Sequence, residues 1–405
     1  MMVVEEADVA VVGAGPTGLI AAREASRRGV NVVVLEEHRE IGVPCHCAGL
    51  LSIEGLRRLG IPQDEKFVQN KVRGARFFSP SGLSFTVEKK ESVACVVDRR
   101  ALDNFLAEQA SGLGASIRTG FHAEHLRRVD GGIVVLSRRG EALTSRVVVD
   151  AEGVASRIVG EAGLKTLPRG CVLPALQFDF SGVSLNPDYV EIHLGSRVAP
   201  NFFAWVIPLR EDAARVGLAC KGASPRACLR RFIRRRFGSH GHLRVLASRS
   251  GLVVTCGPIE KTYTDNMIVV GDAAGQVKPL TGGGVILGGE CALIAGEVAA
   301  EAAGEGKTNK GFLERYERMW RRRFGLEFRV TGLARKVLNS LSDRTLDRLF
   351  RAVIDGGLDE EASASGDMDM HGWTILRMLR SREVLKVLPE ALRDMLARLR
   401  REQHI

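Results

Sequence analysis

The sequence predicts a mixed α/β and α+β fold: a Rossmann-type dinucleotide-binding domain, an inserted antiparallel-sheet domain and a helical C-terminal region. Three observations carry this expectation. An apolar strand, Val9 to Val12, enters the glycine turn Gly13-Ala14-Gly15-Pro16-Thr17-Gly18. A second strand, Met267 to Val270, ends at Gly271-Asp272 and leads through Pro279 and Thr281-Gly282-Gly283-Gly284 into an apolar helix from about Val285 to Ala303. Between them, residues 172–219 alternate with the period of a sheet rather than of βαβ units.

Composition bounds the reading. The 405 residues suffice for two or three domains, and 45% apolar with 26% charged residues is ordinary for a globular chain. Aromatic residues are sparse, at 5%, which argues against a stacking platform for single-stranded nucleic acid. The net charge of +10 is compatible with an anionic partner such as a phosphate or a phospholipid surface. Eight scattered cysteines and no secretory leader predict a cytoplasmic protein with free thiols. Glu290 and Glu297 interrupt the longest apolar stretch, so no transmembrane span is expected.

The first βαβ unit has its parts in register. Val9 to Val12 is continuously apolar, as a strand covered on both faces must be. The three glycines suit a tight turn, close approach of a pyrophosphate, and helix-on-strand packing. A helix to about Arg28 and a strand, Val32 to Leu35, then deliver Glu36 where it suits a ribose hydroxyl. This fingerprint alone leaves NAD and FAD open.

Next comes Gly42-Val43-Pro44-Cys45-His46-Cys47-Ala48-Gly49, a loop before a helix that Ser52 can cap. No partner ligands follow at zinc-like spacing, so no metal is expected. A functional thiol beside a cofactor and a packed thiol both remain open. Strands are expected over 73–78, 83–87 and 93–97, then a helix from about Ala101 to Ser111. Arg99 lies near its start, where a cation opposes the helix dipole and either an anionic ligand or a salt bridge explains it. Residues 115–149 form hairpin-like segments, and the strand Val147 to Val149 ends at Asp150, with Ser156-Arg157 beyond.

Longer strands are then expected over 172–180, 189–194, 202–207 and 215–219. One of them puts Phe203, Trp205 and Ile207 on one face, as a ligand wall or as core. Ser224-Pro225 starts a helix with the apolar stripe Leu229, Phe232, Ile233 and Phe237. Arg230, Arg231, Arg234, Arg235 and Arg236 crowd its other side, as a solvated face or as a contact for anionic headgroups. Residues 307–405 carry 21 Lys and Arg against 15 Asp and Glu, adding +6, and read as helices with a loop at 360–369.

Taken together, the two glycine regions resemble those of the geranylgeranyl reductase family of FAD-dependent oxidoreductases, within the larger p-hydroxybenzoate hydroxylase-type fold group. The resemblance covers roughly residues 7–330. It rests on Gly13, Gly15, Gly18 and Glu36, on Arg99, on Asp150 to Arg157, and on Gly271-Asp272 with Pro279 and Gly282 to Gly284. Gly42-x-Pro44 with Cys47-Ala48-Gly49, and the Thr-Gly-Gly-Gly loop, are similar to the reductase branch in particular. The aromatic strand is similar to its Tyr-x-Trp-x-Phe-Pro motif, with Phe203 and Ile207 replacing the tyrosine and phenylalanine. Cys45 is a further departure.

The resemblance implies FAD as cofactor. It implies that residues 13–18, Glu36, Cys47 to Gly49, Arg99, Gly271, Asp272, Pro279 and Gly282 to Val285 bind it. Asp272 would meet the ribityl chain, and the 279–285 loop the pyrimidine edge of the flavin. It further implies saturation of C=C bonds in polyprenyl chains of a geranylgeranylated lipid or diphosphate, with Cys47, Phe203 and Trp205 at the reacting chain. The electron donor stays open among NAD(P)H, ferredoxin and a deazaflavin. Peripheral contact with an anionic membrane, at the inner face of the cell membrane, is expected; nucleic acid is not. A flavin monooxygenase or halogenase on the same fold is the alternative. Residues 1–70, 98–168 and 259–306 would form the FAD-binding domain, 71–97 and 169–258 the substrate sheet, and 307–405 the helical domain.

Overall fold

A computed structural model describes residues 5–238 and 243–402. The helical expectation for residues 403–405, and the domain assignments of residues 1–4 and 239–242, lie outside the described residues. The chain opens with β1 (Glu5–Val12), α1 (Pro16–Ser26), β2 (Val32–Glu36), β3 (Leu50–Ser52), α2 (Ile53–Arg58), β4 (Val68–Val72), β5 (Gly74–Phe78) and β6 (Ser84–Glu88). It continues through β7 (Ala94–Val97), α3 (Arg99–Gly112), β8 (Ser116–Thr119), β9 (Ala123–Val129), β10 (Gly132–Ser137), β11 (Ala142–Asp150), α4 (Arg157–Glu161), β12 (Val172–Ser181) and β13 (Tyr189–Leu194). Next come β14 (Phe203–Arg210), β15 (Ala213–Ala219), α5 (Pro225–Phe237), β16 (Arg244–Val254), β17 (Tyr263–Thr264) and β18 (Met267–Val269). Helices finish the chain: α6 (Val285–Glu305), α7 (Lys310–Ser340), α8 (Asp343–Asp355), α9 (Leu358–Ser365), α10 (Gly372–Met378) and α11 (Arg382–Glu402).

The first sheet runs β17-β18-β11-β1-β2-β8, with every neighbouring pair parallel from β18 to β8. Val9–Val12, Val32–Leu35 and Val147–Val149 at its centre are apolar throughout because both faces are covered. Val9, Val11, Val32, Val34, Val147 and Val149 point to a core shared with α1, α3 and α6. Ala10, Val12, Val33, Leu35 and Val148 point the other way, to a core shared with α4 and the β9–β10 hairpin. Period-two alternation thus splits one apolar run between two cores.

The second sheet runs β16-β12-β15-β14-β13-β5-β6 and is antiparallel except for the β13–β5 pair. α5 covers one face through Cys228, Leu229, Phe232 and Ile233. Its N-cap is Ser224, whose side chain accepts from the Ala227 N–H, and Pro225 starts the helix where no donor is needed. Of the arginines along α5, Arg236 pairs with Glu191, while Arg231 and Arg235 donate to the carbonyls of Arg197 and Pro80. Arg226, Arg230 and Arg234 are exposed.

A small third sheet, β3-β7-β4, links the two larger ones. Two of its strands, Leu50–Ser52 and Val68–Val72, escape the periodicity reading because they are short and one alternates weakly. β16 escapes it because it is a polar edge strand. The loop expected at 360–369 is in part a helix: α9 continues to Ser365. Asp359, Glu360 and Glu361 in its first turn complement the helix dipole, and Leu358 and Ala362 are buried.

Candidate active site

The turn from β1 into α1 is built for a close-lying ligand. Gly13 has φ +99°, and a Cβ there would sit 2.5 Å from the Ala151 carbonyl oxygen, so only glycine fits. A Cβ on Gly15 would instead meet nothing within 4 Å, which leaves the start of α1 open to an anionic group. Glu36, at the end of β2, turns back to the turn and accepts the Ala14 N–H at 2.8 Å and the His38 N–H at 2.8 Å. Asp150, at the end of β11, is fully buried. It accepts the Glu152 N–H through Oδ1, and its Oδ2 has no protein partner. Burial, with Glu152 nearby, pushes its carboxyl well above the usual range.

The second glycine region faces the same space. Gly271 follows β18, and its N–H donates to Gln276 Oε1 at 3.0 Å. Asp272 lies where a side chain on Gly284 would collide with its Oδ1, and burial raises its pKa while Arg99 lowers it. Arg99 is the first residue of α3. It is held by Asp103 at 3.1 Å, one turn on, as a largely buried ion pair that also faces Cys45 and Cys47. The salt bridge therefore accounts for part of its placement, and Arg99 also lines the cavity described below.

The Cys47 loop is fixed from the second sheet. Gln177 donates to the Cys47 carbonyl at 3.1 Å, and the buried Arg215 donates to the Ala48 carbonyl at 2.7 Å while pairing with Asp179 at 2.9 Å. His46 Nδ1 meets the Ser250 carbonyl of β16. Cys47 Sγ accepts the Gly49 N–H at 3.3 Å. Burial pushes the Cys45 thiol up, against the pull of Arg99.

The helical region holds the Thr-Gly-Gly-Gly loop. Arg335 of α7 donates to the carbonyls of Pro279 (3.1 Å) and Leu280, and its guanidinium lies 4.7 Å over the Phe202 ring. Burial alone pushes its pKa down to about 10, so it remains cationic. Lys278, just before the loop, donates to the Met368 carbonyl and pairs with Asp369 at 3.2 Å. Gln177, Arg215, Lys278, Arg335 and Asp369 all lie outside the sequence motifs. Gln177 and Arg215 show only as isolated polar residues in apolar strands, and Arg335 and Asp369 do not stand out from their polar surroundings.

One cavity of about 1670 Å³ joins these parts. That exceeds the roughly 300–1,000 Å³ of a single small-ligand site. It runs from the Gly13–Gly18 turn past Cys47, Asp272 and Gly282–Val285 to an apolar wall of Phe202, Phe203, Trp205 and Ile207. Trp205 stands beside Gly217 of β15, with Gln177 of β12 on the other side of that glycine. A Cβ on Gly217 would lie 2.5 Å from the Gln177 Cβ and 2.7 Å from the indole. The Trp205 Nε1 and Gln177 Oε1 atoms, both buried, have no protein partner. Phe350, Met368, Ile375 and Met378 close the far end from the helical region. Among the sequence-derived candidates Gly18, Gly271 and Pro279 stand behind the cavity wall, Pro279 on the Arg335 side.

Residues 6–324 match the FAD binding domain family. The chain is 38% identical to digeranylgeranylglycerophospholipid reductase 2 of Methanothermobacter thermautotrophicus, over 85% of this chain and 91% of that one. The chain belongs to this reductase family. It is also 35% identical to the digeranylgeranylglycerophospholipid reductase of Methanocaldococcus jannaschii, over 85% of this chain and 90% of that one. Among solved structures, a geranylgeranyl bacteriochlorophyll reductase-like protein from Thermoplasma acidophilum superposes with TM-score 0.85 at 28% identity, over 97% of this chain and all of that one. A flavin-dependent brominase, at TM-score 0.71 and 17% identity over 94% of this chain and 99% of that one, shares the fold alone. The cofactor of the family is FAD, and the open Gly15 backbone, buried Asp150, half-buried Asp272 and paired glycine loops fit it.

Proposed function

We propose that the chain saturates C=C bonds in the geranylgeranyl chains of isoprenoid membrane glycerophospholipids. The observation that carries this is the single cavity that joins a dinucleotide cradle to a long apolar compartment. Reduced FAD, when bound, supplies the hydride for one alkene carbon. The chain's residues do the rest: Phe203, Trp205 and Ile207 orient the alkene, and the apolar walls exclude water. Cys47, fixed by Gln177 and Arg215, influences delivery of the proton to the second carbon. FAD is held by residues 13–18, Glu36, Ala48, Gly49, Arg99, Gly271, Asp272 and Gly282–Val285, with Pro279 anchoring the loop.

Because the substrate is a membrane lipid, the protein meets an anionic membrane surface peripherally. Among the described residues no helix is long and apolar enough to cross a membrane. NAD(P)H, ferredoxin and a deazaflavin stand as candidate electron donors, and rapid-mixing flavin reduction with each would rank them. The test of the activity is anaerobic: dithionite-reduced enzyme is mixed with digeranylgeranylglycerophospholipid and the lipid is weighed by mass spectrometry. A gain of two hydrogens per bond is expected. No gain without oxygen, with a new oxygen or halogen substituent in its presence, would establish the monooxygenase or halogenase alternative instead.

A further inference from the structure

The last two helices carry an apolar surface that the fold leaves uncovered. Along α11, Leu385, Leu388, Leu392, Leu396 and Leu399 are each 46–56% exposed. At about 100° per residue they fall within roughly 80° of arc, as one stripe. This stripe is separate from the face by which α11 packs on the protein, where Val387 and Ala391 are buried. The next roughly 80° of arc on one flank holds Arg382, Lys386, Arg393 and Arg400, all exposed. Lys386 also pairs with Glu383 at 2.6 Å. α10 adds Trp373, 61% exposed, and Leu379 follows at its C-terminal end.

We infer that α10 and α11 seat the protein on an anionic lipid bilayer, with the apolar stripe in the acyl boundary and the basic flank on the headgroups. Two observations commit the surface to a membrane. The leucine stripe beside a Lys/Arg lane is the charge pattern of a helix lying in a lipid interface, and Trp373 suits the same depth. Moreover, α10 is a shared wall: Thr374, Ile375 and Met378 line the cavity while Trp373 faces out. A chain leaving the bilayer at α10 would therefore arrive at the apolar compartment. The inference rests on the reading of the substrate as a membrane lipid.

The test uses full-length, FAD-loaded protein and flotation with vesicles of phosphatidylcholine, alone or with 30% phosphatidylglycerol (about a third anionic, enough to set a surface potential). Leu388→Glu/Leu392→Glu/Leu396→Glu should lower vesicle binding at least tenfold. Lys386→Glu/Arg393→Glu/Arg400→Glu should abolish the preference for anionic vesicles. Turnover of the lipid in detergent micelles should stay within twofold in both, which separates this inference from the activity itself. Flavin content checks folding, and the charge variant keeps the test decisive should the leucine variant fold poorly. Unchanged vesicle binding in both variants would overturn the inference. So would loss of binding only in Arg230→Glu/Arg234→Glu of α5, or a wild-type dimer in light scattering that the leucine variant dissociates while vesicles bind neither.

Discussion

Replacing Arg335 by Met is predicted to weaken FAD binding and to lower global stability modestly. Arg335 makes two charge-assisted hydrogen bonds to the carbonyls of Pro279 and Leu280, each worth about 1.5–3 kcal/mol, and a cation–π contact on Phe202 worth about 0.5–2 kcal/mol. Against this stands the cost of a buried guanidinium. Depression of its pKa from 12.5 to about 10 corresponds to roughly 3 kcal/mol. The gains, together about 3.5–8 kcal/mol, exceed that cost by about 0.5–5 kcal/mol, so methionine, of similar length and apolar, should lower the unfolding free energy by about 1–3 kcal/mol. The effect also falls locally on the loop, because the Pro279 and Leu280 carbonyls lose their donor. A penalty of about 2 kcal/mol on the ordered loop means roughly thirtyfold in the FAD dissociation constant. Flavin fluorescence titration of apoprotein, with urea unfolding in parallel, would measure both. A dissociation constant within threefold of wild type would refute the claim that the helical region holds the flavin loop.

Three further expectations follow from the geometry. Cys47→Ala should retain FAD and lower reductase turnover at least tenfold, whereas Cys45→Ala should change it little; equal turnover for Cys47→Ala and wild type would remove the thiol from proton delivery. Gly217→Ala should press on both Trp205 and Gln177, at an overpacking cost of about 1–3 kcal/mol, and raise KM for the lipid more than it alters FAD affinity; an unchanged KM would show that Trp205 does not position the chain. Glu191, despite burial, is held at about pKa 2 by the Arg236 and His193 hydrogen bonds. A carboxylate held below its unfolded value of 4.5 stabilises the fold above that pH, and the stabilisation is lost as pH falls toward 2. Glu191→Gln should therefore flatten the urea stability profile between pH 5 and 3, by about 1–2 kcal/mol at pH 3.5.

The parallel core, both glycine loops and the aromatic strand were legible because each depends on local pattern. Val9 to Val12 and Val147 to Val149 read as buried strands, and Gly13 and Gly271 read as turns, whatever surrounds them. Gln177, Arg215 and Arg335 were not legible, since their roles arise from pairing across strands and helices far apart in sequence. Arg335 in particular is one of many arginines in a basic tail, and only its burial over Phe202 distinguishes it. The same holds for α9, whose small polar residues suggest a loop until Leu358 and Ala362 find a core to enter. Phe203 and Trp205 were half legible: their shared face could be read, but the cavity in front of it depends on helices from the other end of the chain.

The helical region therefore belongs to the active-site architecture rather than to a separate appendage, and its ionic contacts suggest how. Asp369 accepts from Ser52 and pairs with Arg58 at 2.9 Å and Lys278 at 3.2 Å. Although burial alone would raise it, Lys278 and Ser52 hold its carboxyl below the usual range. Glu290 of α6 pairs with Arg58 at 2.8 Å and with Arg323 of α7. Buried networks of this kind add little net stability, because desolvation consumes most of the attraction. What they do impose is geometry: an unpaired Asp369 or Lys278 would be costly, so the 366–371 segment, α2 and the flavin loop must dock together or not at all. His371 and Gly372 extend the lock, donating their N–H groups to Glu327 of α7 at 2.8 and 2.7 Å. The cavity wall from α10 is thus fixed to the Thr-Gly-Gly-Gly loop. On the function proposed above, an acceptor chain entering beside α10 and the group that reduces it would be set by one set of ion pairs.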